Sequence, residues 1–473
     1  MSLSAAMKTA QSSFSNVGLQ SAVASKNIAN ASNPNYARRA AILATASSGA
    51  TVVDTQRAQN EALLKQNLLS ISKSSGQDIL LSGLTQMKMM LGGEDYELAP
   101  STYLAKLRDD LQTFADKPSE VSLAETVVAD AIDVANSLNN TSNALQKLRA
   151  EADADINTAV VELNRLLKEF TTYNDRVRQG TAAGTDVNDA LDQRDKLLTE
   201  ISAIVGVTAV NRTNNDLALY TSDGTVLFET VPRTVSFQST TTFTAAVDGN
   251  QVLIDGVPVQ AGDGGNTSAQ GSIAALLQVR DYVAPTFQKQ LDEIARGVIE
   301  VFSEGAGIEG LFSSNGLPAV TDPGLAAVIK VDSRVISSAG GDPSLLRDGI
   351  NSIVNPGSPP LASFSELLNG YATKLEEPMA FDAAAAIETD ATLLSFSTSS
   401  VGWLEQIRSA ATTAGDDKSA LLGRTQEALL NVTAVSLDEE LALLLDLEQS
   451  YKASAKLVAA VDEMITALLQ AAG

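Results

Sequence analysis

The 473-residue sequence contains no histidine and no cysteine. Without histidine there is no Ser-His-Asp triad, no imidazole base and no His-ligated metal centre. Without cysteine there is no thiol nucleophile, zinc-thiolate site or disulfide, and the chain is indifferent to redox compartment. Aromatic residues are scarce, at 4%, which favours helices packed through small side chains over an aromatic-lined pocket. Basic residues are outnumbered, 33 to 57, giving a net charge of −24. A body this acidic repels phosphate backbones, so no nucleic-acid partner is expected. No apolar run reaches the ~18 residues of a membrane span, so no membrane insertion is expected. The opening MSLSAAMKTAQSSFSNVGLQ lacks a basic stretch before an unbroken apolar one. It is not read as a signal peptide. The protein is then cytoplasmic, or leaves by a route that needs no cleaved signal.

What is present is 44% hydrophobic residues, enough for a sizeable core, and length for about three domains. Leu3, Met7, Ala10, Phe14, Val17, Ser21, Ala24 and Ile28 step by fours and threes, the seam of a thin coiled-coil helix. Pro34, between Asn33 and Asn35, ends it in a turn. Residues 37–57 read as an extended linker, and helix returns from Ala58 until Gly92-Gly93. A short helix follows near 101–116. Residues 119–179 then contain neither Gly nor Pro over 61 positions, a long helix. One more helix spans about 186–204.

The period changes at Gly206. Leu217/Leu219, Val226/Phe228, Val235/Phe237, Phe243/Ala245/Val247, Val252/Ile254 and Val257/Val259 alternate, with Asp-Gly pairs at 223, 248 and 255 between them. This pattern predicts hairpins in one small antiparallel β domain over 206–272. Helices are expected again at 272–303, 363–376 and 383–430. The last helix, from 437, keeps heptad spacing through Leu441, Leu444, Tyr451, Ala455, Val458, Ile465 and Leu469, interrupted by Glu448 and Asp462. The fold class is mainly α: long terminal coiled-coil helices and a helical bundle, with an inserted small antiparallel β domain. The expected division is a terminal domain with its linker (1–57 with 433–473), a helical domain (58–205, 273–304 and 361–432) and the β domain (206–272). Residues 305–360 are irregular and unassigned.

The two ends are matched in charge. Residues 1–53 hold four basic residues and no acid; residues 437–473 hold seven acids and two lysines. Helices of opposite sign with matching seams are natural partners. They form either an assembly interface or a hairpin within one domain. Seams of Ala and Ser bury little area, and at about 25 cal/mol per Å² such a pair barely offsets its ordering entropy. That favours an interface completed by further neighbours.

Catalytic and ligand motifs are not found. There is no phosphate-binding G-x-x-x-x-G-K-[ST]. Asp186, Asn188 and Asp192 begin like a calcium loop but lack its glycine and its final glutamate. They are better explained as helix N-terminal carboxylates with a capping group. Glu376-Glu377 and Asp416-Asp417 are adjacent on helices and do not face one another as a glycosidase pair would. No catalytic, cofactor or metal residue is assigned, and no enzyme is expected.

Ser25-Lys26-Asn27-Ile28-Ala29-Asn30-Ala31-Ser32-Asn33-Pro34-Asn35-Tyr36 resembles the SNNIANANTPGY signature of the bacterial flagellar rod, hook and hook-associated family. Leu437–Leu441, Gln449–Lys456 and Asp462-Glu463-Met464 resemble that family's closing helix. Asp189–Leu198, Ile204–Val207, Gln290–Ala295 and Gly310-Leu311-Phe312 resemble its hook-associated, junction-forming members. Two departures stand out: Asn35 replaces the signature glycine, and Lys26 its second asparagine. Asn tolerates positive φ, so the turn is expected to survive.

The resemblance implies a structural subunit at the hook–filament junction, extracellular on the flagellum and exported unfolded by the type III route without a cleaved signal. It implies copolymerisation through the terminal helices, which line the inner tube. The implied partners are hook protein, a second junction protein (hook-associated protein 3), copies of the chain in a ring, and a cytosolic export chaperone at the C-terminal helix. The candidate interface residues are Leu3, Met7, Ala10, Phe14, Val17, Asn27, Ile28, Asn30 and Tyr36, with Leu441, Leu444, Tyr451, Ala455, Val458, Ile465 and Leu469 opposite. Asn27 and Asn30 would fix register, as buried amides do in coiled coils, unless they cap a solvated helix end. Tyr36 would anchor either in an intersubunit pocket or on its own domain. The rival readings are a hook or rod subunit, a cytosolic coiled-coil scaffold and a secreted hydrolase.

Overall fold

A computed structural model describes residues 3–46, 49–305, 307–314 and 323–472. The chain opens with helix α1 (Leu3–Ala29), strands β1 (Arg39–Ala46) and β2 (Gly49–Arg57), and helices α2 (Glu61–Met90), α3 (Pro100–Asp116), α4 (Val121–Ala183) and α5 (Asn188–Ile204). Strands β3 (Val207–Asn211), β4 (Leu217–Thr221), β5 (Val226–Phe228), β6 (Val235–Ser236), β7 (Leu253–Ile254) and β8 (Val257–Pro258) follow. Next come α6 (Ser272–Gln278) and α7 (Ala284–Val301), then β9 (Phe312–Ser313), α8 (Leu325–Val328), β10 (Lys330–Val331), α9 (Leu345–Asp348) and α10 (Glu366–Glu376). Strands β11 (Met379–Ala380) and β12 (Asp390–Ala391) precede α11 (Leu393–Thr433) and α12 (Leu437–Ala472). The fold is mainly helical with small antiparallel sheets.

The helix boundaries follow local chemistry. α2 ends where Gly92 and Gly93 take φ of 98° and 76°, a left-handed stop that residues with a Cβ resist. α4 runs 63 residues, slightly beyond the stretch free of Gly and Pro. Between α6 and α7 the helix widens into a π segment, Val279–Val283, just before Pro285. Proline cannot donate the regular i→i−4 bond, and a π segment absorbs the mismatch.

Two compact units result. The first comprises residues 1–72, 163–234 and 419–473; the second comprises 73–162 and 235–418. In the first unit, α1 packs on α12 and on the β1–β2 hairpin. The sheet β3–β4–β5 closes on a core of Leu68, Leu166, Phe170, Leu198, Ile201, Leu219 and Phe228, all buried. Phe170 and Phe228 meet edge to face, centroids 5.2 Å apart. In the second unit, one continuous core runs from Leu80 and Leu104 through Val134, Phe287, Phe302 and Leu368 to Phe396 and Leu404.

Three sequence expectations are corrected. Residues 39–57 are not a linker but an antiparallel hairpin; the β-branched run that looked merely extended pairs with itself. The stretch 206–272 holds two separate three-stranded sheets, β3–β4–β5 in the first unit and β6–β7–β8 in the second. Finally, the alternating residues Phe243, Ala245 and Val247 form no strand. Two carbonyls of this segment accept from an arginine instead: Arg149 on α4 donates to Thr244 O at 3.0 Å and to Val247 O at 2.7 Å. Buried Arg280 pins the same segment, donating to Asn250 O and to Asp153, both at 2.7 Å. Gly249 lies so close to that guanidinium that a Cβ would collide with it.

The Asp255-Gly256 turn does behave as read: φ of 50° and 83° are those of a two-residue I′ hairpin.

Candidate assembly site: the terminal helix pair and its hairpin

All of the following geometry lies within the first unit. α1 and α12 pair through residues from both ends of the chain. Phe14 meets Tyr451 edge to face at 4.9 Å, and the Ser13 and Ser454 hydroxyls are 2.7 Å apart. On α1, Ala10 and Val17 are buried, Phe14, Ile28 and Asn30 half-buried, and Met7 exposed. Leu3 opens α1, but its side chain lies outside the described residues. On α12 the buried row is Glu440, Leu447, Ser454 and Val461, spaced by sevens. Of the expected row, Leu444 and Val458 are half-buried, and Tyr451 touches Phe14 while remaining 53% exposed. Leu441, Ala455, Ile465 and Leu469 are exposed. The helix is thus turned about one residue from the sequence reading.

The hairpin is fastened to α1 by two buried amides. Asn27 is 1% exposed. Its Nδ2 donates to Arg39 O at 2.8 Å, and its Oδ1 accepts from the Arg39 N–H at 3.0 Å and the Tyr36 hydroxyl at 2.8 Å. Asn16, three helical turns earlier, repeats the pattern on β2: it donates to Ala50 O and accepts from the Val52 N–H at 2.9 Å. Asn30 instead closes its own helix, donating to Lys26 O at 2.9 Å.

The turn between helix and hairpin needs no positive φ: Asn33 and Asn35 are absent from the positive-φ residues. The Asn33 side chain accepts the Asn35 N–H at 3.1 Å, and its carbonyl accepts the Tyr36 N–H at 3.1 Å. This explains why asparagine serves where the family signature has glycine. Buried Tyr36 spends its hydroxyl on Asn27 of its own chain and lies 4.7 Å under the Arg39 guanidinium.

A charged cluster fixes the other side of the hairpin. α5 presents Asp189, Asp192 and Asp195 at three-residue spacing, one face of a helix. Buried Arg39 donates to Asp189 at 2.6 Å and Asp192 at 3.0 Å. Arg57 pairs with Asp195 and lies 3.5 Å from Asp192. Lys26, the residue that departs from the family signature, reaches Asp189 at 3.1 Å. Asn188 donates to Thr55 O at 2.7 Å and takes the Asp186 carboxylate on its own N–H at 2.9 Å. The oxygens that resembled a calcium loop are therefore engaged by arginines and a cap.

Burial raises both carboxyls, but with opposite results. For Asp189 the hydrogen bonds from Arg39 and Lys26 outweigh burial and hold it below the usual range. For Asp192 burial outweighs Arg57 and Arg39 and holds it above. Burial likewise pushes Arg194 down to about 10, while its guanidinium holds Asn174 Oδ1 at 3.1 Å.

Beside the hairpin, a cleft of about 460 Å³ is lined by Tyr36, Arg57, Leu64, Leu68, Leu191 and Leu429, among others. Its rim is self-paired: Arg57 with Asp195, and Glu61 with Asn211. Among the described residues no helix is long and apolar enough to cross a membrane, and no group of His, Cys, Asp or Glu is arranged to hold a metal.

Sequence reasoning singled out Asn27, Asn30 and Tyr36. It missed Asn16, Arg38, Arg57, Asp195 and Glu440, and it placed Asp192 in the wrong context. The available signals were the i, i+3, i+6 aspartates of α5 and the polar breaks at Glu448 and Asp462.

The two ends of the chain form one helical pair, with every other element between them in sequence. It is the similarities over the middle and the end of the sequence that point to a flagellar structural protein. Residues 84–306 match the flagellar hook-associated protein FlgK helical domain, and residues 426–471 match the flagellar basal body rod FlgEFG protein C-terminal family. The chain is similar to flagellar hook-associated protein 1 over its helical middle and, at lower identity, over most of its length. It is 23% identical to flagellar hook-associated protein 1 of Bacillus subtilis over 430 residues, 84% of this chain and 80% of that protein. It is 27% identical to that of Salmonella typhimurium over 195 residues, 39% of this chain and 35% of that protein. A solved structure of the flagellar hook junction protein FlgK from Burkholderia pseudomallei aligns at 19% identity and a TM-score of 0.42, covering 53% of this chain and 46% of that one.

Proposed function

We propose that this chain is the subunit that joins the flagellar hook to the filament and that it copolymerises through α1 and α12. The observation that carries this reading is the outward face of α12. Leu441, Leu445, Met464, Ile465, Leu468 and Leu469 stay 40–70% exposed, although Leu447 and Val461 of the same helix are buried against α1. A soluble chain does not keep such a stripe without a use for it. In the assembly these side chains pack on neighbouring terminal helices: hook protein on one side, hook-associated protein 3 on the other, and copies of this chain around the ring. Before export, a cytosolic chaperone covers the same stripe. The subunit then leaves through the flagellar type III channel and works outside the cell as a structural element rather than an enzyme.

The test is deletion of the gene in the source bacterium. Bare hooks with unassembled filament protein in the medium, reversed by the intact gene, are the expected result. Normal filaments and motility would reject the junction role.

A further inference from the structure

The hairpin β1–β2 has one guarded edge and one open edge. Asn27 takes both main-chain groups of Arg39, so that residue points out of the ladder. The register shifts between Ile42 and Leu43, where Val53 of β2 is the extra residue; β1 itself is not interrupted, so by the alternation of antiparallel pairing the main-chain groups of Ala41, Leu43 and Thr45 point out on the same side. Among the described residues no hydrogen bond reaches any of the three. The opposite edge is treated differently. Ala50 O accepts from Ser12 and Asn16, the Val52 N–H goes to Asn16, and Thr55 O accepts from Asn188.

The composition of the open edge is equally one-sided. Residues 40–53 contain no charge and no proline, in a chain that is 19% charged. Lysine, proline and inward charge are the usual devices that keep an edge strand from pairing with another chain. None is used on β1 beyond Arg39. Leu43 is 47% exposed beside the open groups, and Val53 of β2 is 60% exposed.

We propose that β1 is a strand-addition site. An uncharged, extended segment of a neighbouring axial subunit hydrogen-bonds to the outward groups of Ala41, Leu43 and Thr45 and covers Leu43. The chemistry selects this occupant. Unpaired N–H and C=O groups in strand spacing are satisfied by another extended backbone. An acidic segment would have to bury its charge against a stretch, 40–53, that carries no cation, the flanking Arg39 and Arg57 being already paired with aspartates of α5. The site lies next to the terminal helix pair, so it rests on the junction reading and adds a main-chain contact to the helix contacts proposed there.

The test uses Thr45→Pro. At an outward position proline removes a free donor and blocks approach while sparing the hairpin's own ladder. The preceding Ala44 is already extended, as a residue before proline must be. In a strain lacking the gene, Thr45→Pro is expected to be made and exported normally, while its incorporation at the hook tip falls about tenfold or more, as expected when a strand edge is blocked. Ala44→Pro, which breaks the ladder itself, serves as the unfolded control. Independently of any variant, hydrogen exchange of the native chain should show the amides of 41, 43 and 45 fast in the free protein and protected in isolated hook–junction assemblies.

Full incorporation of a folded Thr45→Pro protein, or equal exchange in both states, overturns the proposal. A dimer of the free chain that Thr45→Pro abolishes overturns the named occupant, because β1 would then be taken by another copy of β1. These outcomes are separable from failure of the junction reading, in which deletion of the gene would leave filaments intact.

Discussion

Arg38 and Glu440, 402 positions apart in sequence, are joined by a hydrogen bond of 2.7 Å from the guanidinium Nε to a carboxylate oxygen. The Arg38 N–H also donates to Thr433 O at 2.7 Å, so the exit from α1 and the entry to α12 are tied at one residue. Glu440 is 1% exposed, and its second oxygen has no partner. A half-satisfied buried carboxylate depends strongly on the one cation it has.

Arg38→Ala is therefore expected to cost about 1.5–3 kcal/mol, the range for a hydrogen bond to a charged group. Glu440→Gln should cost less in an Arg38→Ala background than alone. A double-mutant cycle, read by urea unfolding and by hydrogen exchange in 437–450, measures this coupling. Additive effects would show that the two residues act independently.

Asn27 and Tyr36 separate in the same way. Tyr36→Phe removes one hydrogen bond and should cost about 1 kcal/mol. Asn27→Leu keeps the volume but strands the Arg39 N–H, the Arg39 carbonyl and the Tyr36 hydroxyl, and should cost at least about 2 kcal/mol. The readout is protection of the hairpin amides. Equal losses in the two variants would mean that Asn27 does not hold the ribbon.

A pH dependence comes from the second unit. Buried Asp130 on α4 is pushed up to about 6, by burial first and then by sharing a hydrogen bond with Asp110, against the pull of Lys106. Lys106 lies 2.7 Å from it, and Asp133 is the other nearby acid. A carboxyl whose folded value is raised stabilises the fold when neutral. That contribution is present below the ordinary carboxyl range and is lost as pH rises through about 6. Asp130→Asn is therefore expected to melt higher than the parent at pH 8 and to lose that advantage by pH 4. An advantage independent of pH would reject the assignment.

The two faces of α12 should respond differently to truncation. Leu447→Ala, on the buried row, should cost about 2 kcal/mol or more in the isolated chain. Leu469→Ala, on the exposed face, should stay within about 0.5 kcal/mol yet lower incorporation into the flagellum. Thermal melts and counts of assembled subunits measure the two effects. A reversal of the two would place the interface on the other face.

The sequence by itself determined most of the helices and several of their ends. Heptad spacing, the stop at Gly92-Gly93 and the long stretch without Gly or Pro are local properties of the chain, and local properties are legible in one dimension. The Asp255-Gly256 turn was legible for the same reason. Tertiary structure decided which row of α12 faces α1. The rows Leu441–Glu448–Ala455–Asp462 and Glu440–Leu447–Ser454–Val461 have the same period, and only packing distinguishes them. The acids at 448 and 462 disfavour burial of the former row, but Glu440 disfavours burial of the latter as well, and only the guanidinium of Arg38, brought from the other end of the chain, removes that objection. Tertiary structure also decided that 243–247 is a loop, in which a guanidinium from α4 holds the carbonyls of Thr244 and Val247. It decided as well that 39–57 is a hairpin with one edge closed by Asn16 and Asn188 and the other left open. Such outcomes depend on groups that meet in space from distant parts of the chain, and no periodicity in the sequence records them.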